Sequence, residues 1–194
     1  MKIGLFFGSF NPVHIGHMVI ASYMAEYTDL EQVWLVVSPH NPLKQKDTLL
    51  DDQHRLQLVK IAIDDYRKLK ASNIEFSLPK PSYTVNTLAY LTEKHPEYRF
   101  VLLMGADNLV TFKKWKNWEQ ILEFSEIYVY PRRDSDGGDL LHHPKVKVVG
   151  APMMDISATF IRDSIRQGKD VRYLLPDSVW RYIREMHFYE KPKE

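Results

Sequence analysis

The chain has 194 residues, room for one sizeable domain but short for two, so a single domain over 1–194 is expected. Lys and Arg number 26 against 25 Asp and Glu, so no global field draws a polyanion, and no nucleic-acid partner is expected. The absence of cysteine excludes disulfides, thiol nucleophiles and thiolate-bound metals, and no run approaches the roughly 18 apolar residues of a membrane span. No membrane partner is therefore expected, and the expected location is the cytoplasm.

Short apolar runs then alternate with helical patterns, which predicts an α/β fold with a mainly parallel, buried sheet flanked by helices. Residues 2–7 read as a first strand and 15–27 as a first helix, with Met18, Ala21 and Ala25 facing inward. Val33–Val37 reads as a second strand. Asp51 and Asp52 open a helix carrying Leu56, Val59 and Ile63 at helical spacing. A weaker strand is expected at 73–77, followed by a helix capped by Ser82 and bearing Val85, Leu88 and Leu91. Phe100–Met104 reads as the central strand, with two more at 126–130 and 145–149. A polar loop is expected at 132–144, a helix capped by Ser157 and closed by Gly168, and a last helix from Pro176 to about Met186.

Directly after the first strand comes Gly8-Ser9-Phe10-Asn11-Pro12-Val13-His14-Ile15-Gly16-His17. His14 and His17, three apart, share one face of a helix's first turn. A helix N-terminus already favours anions through its free N–H groups, and two imidazoles that can carry positive charge add donors for a phosphate. Gly16 lacks a Cβ, which leaves room for a ligand to approach the backbone. The run resembles the H-x-G-H signature of the nucleotidyltransferase superfamily, which implies a Rossmann-like nucleotidyltransferase fold and transfer of a nucleotide monophosphate to a phosphate acceptor.

A second constellation is Ile156-Ser157-Ala158-Thr159-Phe160-Ile161-Arg162. Hydroxyl and N–H groups crown a helix start, and Arg162, one turn in, suits bidentate phosphate recognition. The segment resembles the I-S-S-T-x-I-R motif of the nicotinate mononucleotide adenylyltransferases, departing at Ala158 where that family usually has Ser. The middle of the chain is similar to the same family. The resemblance places Ser38 and Lys44, in Ser38-Pro39-His40-Asn41-Pro42-Leu43-Lys44, near the mononucleotide and its reacting phosphate. It implies that Thr84 of the Pro-Ser-Tyr-Thr segment reads the nicotinate carboxylate and that Asp107 of Gly105-Ala106-Asp107 accepts hydrogen bonds from a ribose. It implies too that Trp115 stacks on the pyridine ring, with Trp118 as competitor, and that Arg133 holds the mononucleotide phosphate. Ser9 and Asn11 replace a usual Thr and Asp, and Asn86 a usual Asp; these short polar swaps are not expected to change the reaction.

What the resemblance implies is adenylyl transfer from ATP to nicotinate mononucleotide, giving deamido-NAD and pyrophosphate. His14, His17, Lys44 and Arg162 would be catalytic, and Gly8, Ser9, Phe10, Gly16, Gly105, Asp107, Ile156, Ser157 and Thr159 would contact ATP. Mg²⁺ would ride mainly on the ATP phosphates, with no dedicated metal cage. The alternatives are another H-x-G-H transferase, for pantetheine phosphate or a cytidylyl group, and a non-catalytic nucleotide sensor. The basic-aromatic Lys113-Lys114-Trp115-Lys116 reads as a solvated helix end, and adjacent His142 and His143 lack a nearby third metal ligand. Tyr182, His187 and Tyr189 are expected to pack the last helix.

Overall fold

The computed structural model describes residues 1–39 and 49–191. Six strands, β1 (Lys2–Gly8), β2 (Gln32–Val37), β3 (Leu69–Ser72), β4 (Arg99–Gly105), β5 (Ser125–Tyr130) and β6 (Val146–Val148), form one sheet. Its order is β3-β2-β1-β4-β5-β6, with every neighbouring pair parallel. Parallel neighbours require crossovers, and the helices supply them: α1 (Ile15–Tyr27), α2 (Asp52–Ile63), α3 (Thr84–Lys94), α4 (Ala106–Thr111), α5 (Trp118–Phe124), α6 (Ala158–Arg166) and α7 (Asp177–Glu185).

Strand side chains alternate between two apolar layers. Val33, Leu35 and Val37 of β2 face one layer with Ile20, Met24 and Ile161, while Trp34 and Val36 face the other with Leu88 and Ile121. Both faces of the sheet are thereby covered, which is why its strands read as near-continuous apolar runs. The strand order reverses between β1 and β4, and in open parallel sheets the crevice beyond the carboxyl ends at such a reversal is where ligands bind. No helix among the described residues is long and apolar enough to cross a membrane.

Two local expectations are corrected. The weak strand lies at Leu69–Ser72 rather than 73–77, and Ile74–Ser77 is a 3-10 turn. The alternation of Ile74 and Phe76 imitates a strand, but the edge register is set by pairing with β2, from Leu69 opposite Val33 to Ser72 opposite Val36. Lys70 is accommodated there by lying 4.4 Å over the Trp34 ring. The N-cap of α3 is Tyr83, not Ser82, whose hydroxyl is buried without a hydrogen-bond partner among the described residues. The other caps agree with the sequence: Asp51 accepts from Gln53 N–H at 2.9 Å and Ser157 from Phe160 N–H at 3.1 Å.

Candidate active site

A cleft of about 560 Å³ opens beyond the carboxyl ends of β1 and β5, lined on one side by Gly8–Asn11, His14, Gly16 and His17 and on the other by Ile156–Thr159 and Arg162. The starts of α1 and α6 therefore face one cavity, although His14 and Arg162 are far apart in sequence. Each brings first-turn N–H groups and the positive end of a helix.

His14 is the N-cap of α1 and is only 5% exposed. Burial, helped by the nearby positive charge of Arg132, lowers its pKa to about 4. The two imidazoles stack with centroids 3.7 Å apart, an arrangement that penalises charge on both. His14 is thus neutral near pH 7, a correction to the expectation of two charge-carrying donors. His17 Nδ1 accepts the His14 backbone N–H at 3.2 Å, which assigns the His17 proton to Nε2. The Nδ1 atom of His14 is buried without a hydrogen-bond partner among the described residues.

Gly16 works differently from the expectation. A Cβ there would meet the His14 ring at 3.1 Å and Ile156 at 3.6 Å, so the glycine makes room for the imidazole as well as opening the backbone. Phe10, in the left-handed region at φ 45°, is buried edge-on to Phe6 and to His17 at 5.0 Å, so it fixes the His17 ring from behind.

Arg162 donates from Nη1 to the Asn11 carbonyl at 2.7 Å and from Nη2 to Thr159 Oγ1 at 3.2 Å. Its Nε is buried without a partner among the described residues. The Ser157 hydroxyl is engaged as the α6 cap, which leaves the Thr159 hydroxyl as a side-chain donor at this end.

Gly105 and Asp107 follow β4 but do not line this cleft. A Cβ at Gly105 would come 2.3 Å from Asp107 Oδ1 and 2.8 Å from Arg132 Cγ, so glycine is what lets that carboxylate and guanidinium fold over the strand end. Asp107 lies 3.6 Å from Arg132 Nε. Arg132, not Arg133, lines the cleft, and it is held by a 3.0 Å bond to the Met154 carbonyl. Arg133 is exposed and pairs with Asp155 at 3.2 Å. Ser38, Thr84 and Trp115 also lie outside the cleft lining. Ser38 N–H bonds the Gly8 carbonyl at 2.9 Å, which seats it beside the first turn. Next to Thr84 and Trp115 in sequence, Tyr83 and Lys116 meet, with Lys116 Nζ 4.3 Å over the Tyr83 ring. Trp115 is half-buried, with its ring 5.4 Å from Phe112. Lys44 lies outside the described residues.

Two contributors were missed by sequence reasoning, and a third was passed over for its neighbour. Arg55 is fully buried and donates to the carbonyls of Leu50, Ser9 and Ser38 at 2.8, 2.6 and 2.9 Å, with Asp52 as its ion-pair partner. It cross-links the turn after β1 to the chain on both sides of residues 40–48. Glu75 is also buried; it accepts from Thr87 Oγ1 at 2.7 Å, and burial raises its pKa despite hydrogen bonds from Ser38 and Thr87. Arg132 is the third. Only its place at a strand end signalled it, and its neighbour Arg133 was the one the resemblance picked.

Comparison with known proteins places the chain in a family and supports its fold. The family model described as Cytidylyltransferase-like matches residues 5–164. A protein of Flavobacterium johnsoniae named "Probable nicotinate-nucleotide adenylyltransferase" is 57% identical over 98% of this chain and 100% of its own length. One of the same name from Christiangramia forsetii is 56% identical over 97% of this chain and 98% of its own. Among solved structures, the nicotinic acid mononucleotide adenylyltransferase of Plasmodium falciparum complexed with NaAD superposes with a TM-score of 0.83, covering 97% of each chain at 20% identity, a likeness of fold. The chain belongs to the cytidylyltransferase-like family, among the nicotinate-nucleotide adenylyltransferases.

Proposed function

We propose that the protein, acting as one domain, is an enzyme of NAD biosynthesis that transfers the adenylyl group of ATP to nicotinate mononucleotide, forming deamido-NAD and pyrophosphate. The observation that carries this reading is the pair of helix N-termini, one bearing His14 and His17 and the other Arg162, facing one cleft at the strand-order reversal. An oxygen of the mononucleotide 5′-phosphate attacks the α-phosphorus of ATP in line; the new P–O bond forms as the bond to the α,β-bridging oxygen breaks, and pyrophosphate leaves with the electron pair. The attacking oxygen is already anionic, so no side chain acts as a nucleophile, and catalysis is positioning plus charge stabilisation.

His17 donates from Nε2 to a phosphate oxygen, and neutral His14 adds a second donor beside it. Arg162 and Lys44 offset the charge on the leaving pyrophosphate, while Asp107 accepts from a ribose hydroxyl. Thr84 and Trp115 recognise the nicotinate ring and its carboxylate, and Ser38, Arg132 and Arg133 are the candidates for holding the mononucleotide end. A divalent cation such as Mg²⁺ would enter this cleft with ATP, whose phosphates suit it, while the imidazole and guanidinium groups of His14, His17 and Arg162 that line the cleft would serve the phosphates themselves. Bound there, it would neutralise phosphate charge.

Pyrophosphate release from ATP, measured with nicotinate mononucleotide, nicotinamide mononucleotide or phosphopantetheine as acceptor, tests the reading. Fastest release with nicotinate mononucleotide is expected. A preference for phosphopantetheine would overturn the substrate, and no release with any acceptor would make the protein a nucleotide sensor.

A further inference from the structure

The chain after α7 turns back over the domain instead of merely packing that helix. Phe188 N–H donates to the Ile183 carbonyl at 3.0 Å, and the Phe188 ring lies 4.8 Å from His54 and 5.9 Å from Tyr182. This docking delivers Tyr189, itself in the left-handed region at φ 64°, against the turn that follows β1. Its hydroxyl donates to Asn11 Oδ1 at 2.8 Å across 178 positions of sequence. Burial raises the Tyr189 pKa, so the phenol stays a hydrogen-bond donor throughout the neutral range.

Asn11 is 3% exposed and joins three parts of the site. Its side-chain oxygen receives Tyr189 and also Leu50 N–H at 3.2 Å, while its main-chain carbonyl receives Arg162 Nη1 at 2.7 Å. With the amide held by two donors, the Asn11 peptide is fixed, and so is the oxygen that aims the guanidinium. A long, flexible arginine gains from such support because small misplacements of a charge-stabilising group are costly.

We propose that Tyr189 is a positioning residue for Arg162, acting through Asn11 without touching substrate. The inference rests on the reading of Arg162 as a phosphate-stabilising group. The Tyr189→Phe substitution keeps the packed ring and removes only the hydroxyl. The expected result is a loss of about five- to tenfold in kcat, the scale of one hydrogen bond, with the KM for nicotinate mononucleotide and the melting temperature close to wild type. In an Arg162→Lys background the same substitution should have almost no further effect, because the group being aimed is gone; this non-additivity is the mark of action through one partner.

Unchanged kcat in Tyr189→Phe would overturn the proposal, as would an equal loss in both backgrounds. A variant that no longer folds would overturn it too, since the hydroxyl would then be holding the domain. Absence of pyrophosphate release by the wild-type protein would remove the reading of the site itself, whereas an active wild type with an indifferent Tyr189→Phe removes only the clamp.

Discussion

His14 and His17 form a working pair whose members differ in environment. His14, with its pKa at about 4, is neutral when folded, whereas in the unfolded chain it titrates at its ordinary value of 6.5. The unfolded state therefore binds the proton more tightly, so stability is complete above pH 6.5 and is lost as pH falls toward 4. Urea denaturation at pH 7 and pH 4.5 should show the wild type losing about 2 kcal/mol more than His14→Gln over that interval. Equal losses would mean that the ring is protonated without cost. His17 is tested by kinetics: His17→Ala should lower kcat by about 10²–10³-fold with much smaller changes in either KM, as expected of a donor to transition-state charge. Near-normal turnover in a folded variant would reduce the motif to a turn. The spacing of these histidines was plain in the sequence. The neutral state of His14 was not, because burial and the nearness of Arg132 come from segments more than a hundred residues apart.

Helix starts carry the site, and those with a side-chain cap were legible. Ser157 and Asp51 cap as their residue types demand, and α6 closes before Gly168, which sits at φ 74°. At α3, Ser82 looked like the cap, but the helix begins one residue later, and the nearby Lys116–Tyr83 contact belongs to a different element. Trp115→Ala should raise the KM for nicotinate mononucleotide by the equivalent of roughly 1–3 kcal/mol, by analogy with base–aromatic stacking, while leaving the KM for ATP unchanged. Equal impairment of both substrates would assign Trp115 to the core formed with Phe112, and Trp118 would become the candidate for the stack.

Across the molecule, the parallel sheet positions everything else. β4 lies in the middle of the sheet, and Leu102, 1% exposed, packs in one of its two apolar layers. Leu102→Ala should cost about 2–5 kcal/mol of unfolding free energy, read from denaturant midpoints, because packing there cannot close the cavity. A loss below 1 kcal/mol would mean that the layer relaxes freely. The sequence by itself determined the class of fold, the two motifs that meet at the cleft and, through their resemblance, the family, since apolar periodicity, cap chemistry and motif spacing are local properties carried by neighbouring residues. Tertiary structure decided which polar groups work together. Arg55, on the first turn of α2, is buried because it satisfies carbonyls from three separate stretches of chain. Asn11, which read as a minor polar swap, joins Leu50, Arg162 and Tyr189. A buried donor or acceptor must find partners wherever the fold brings them, and its identity as a hub exists only once distant segments have met.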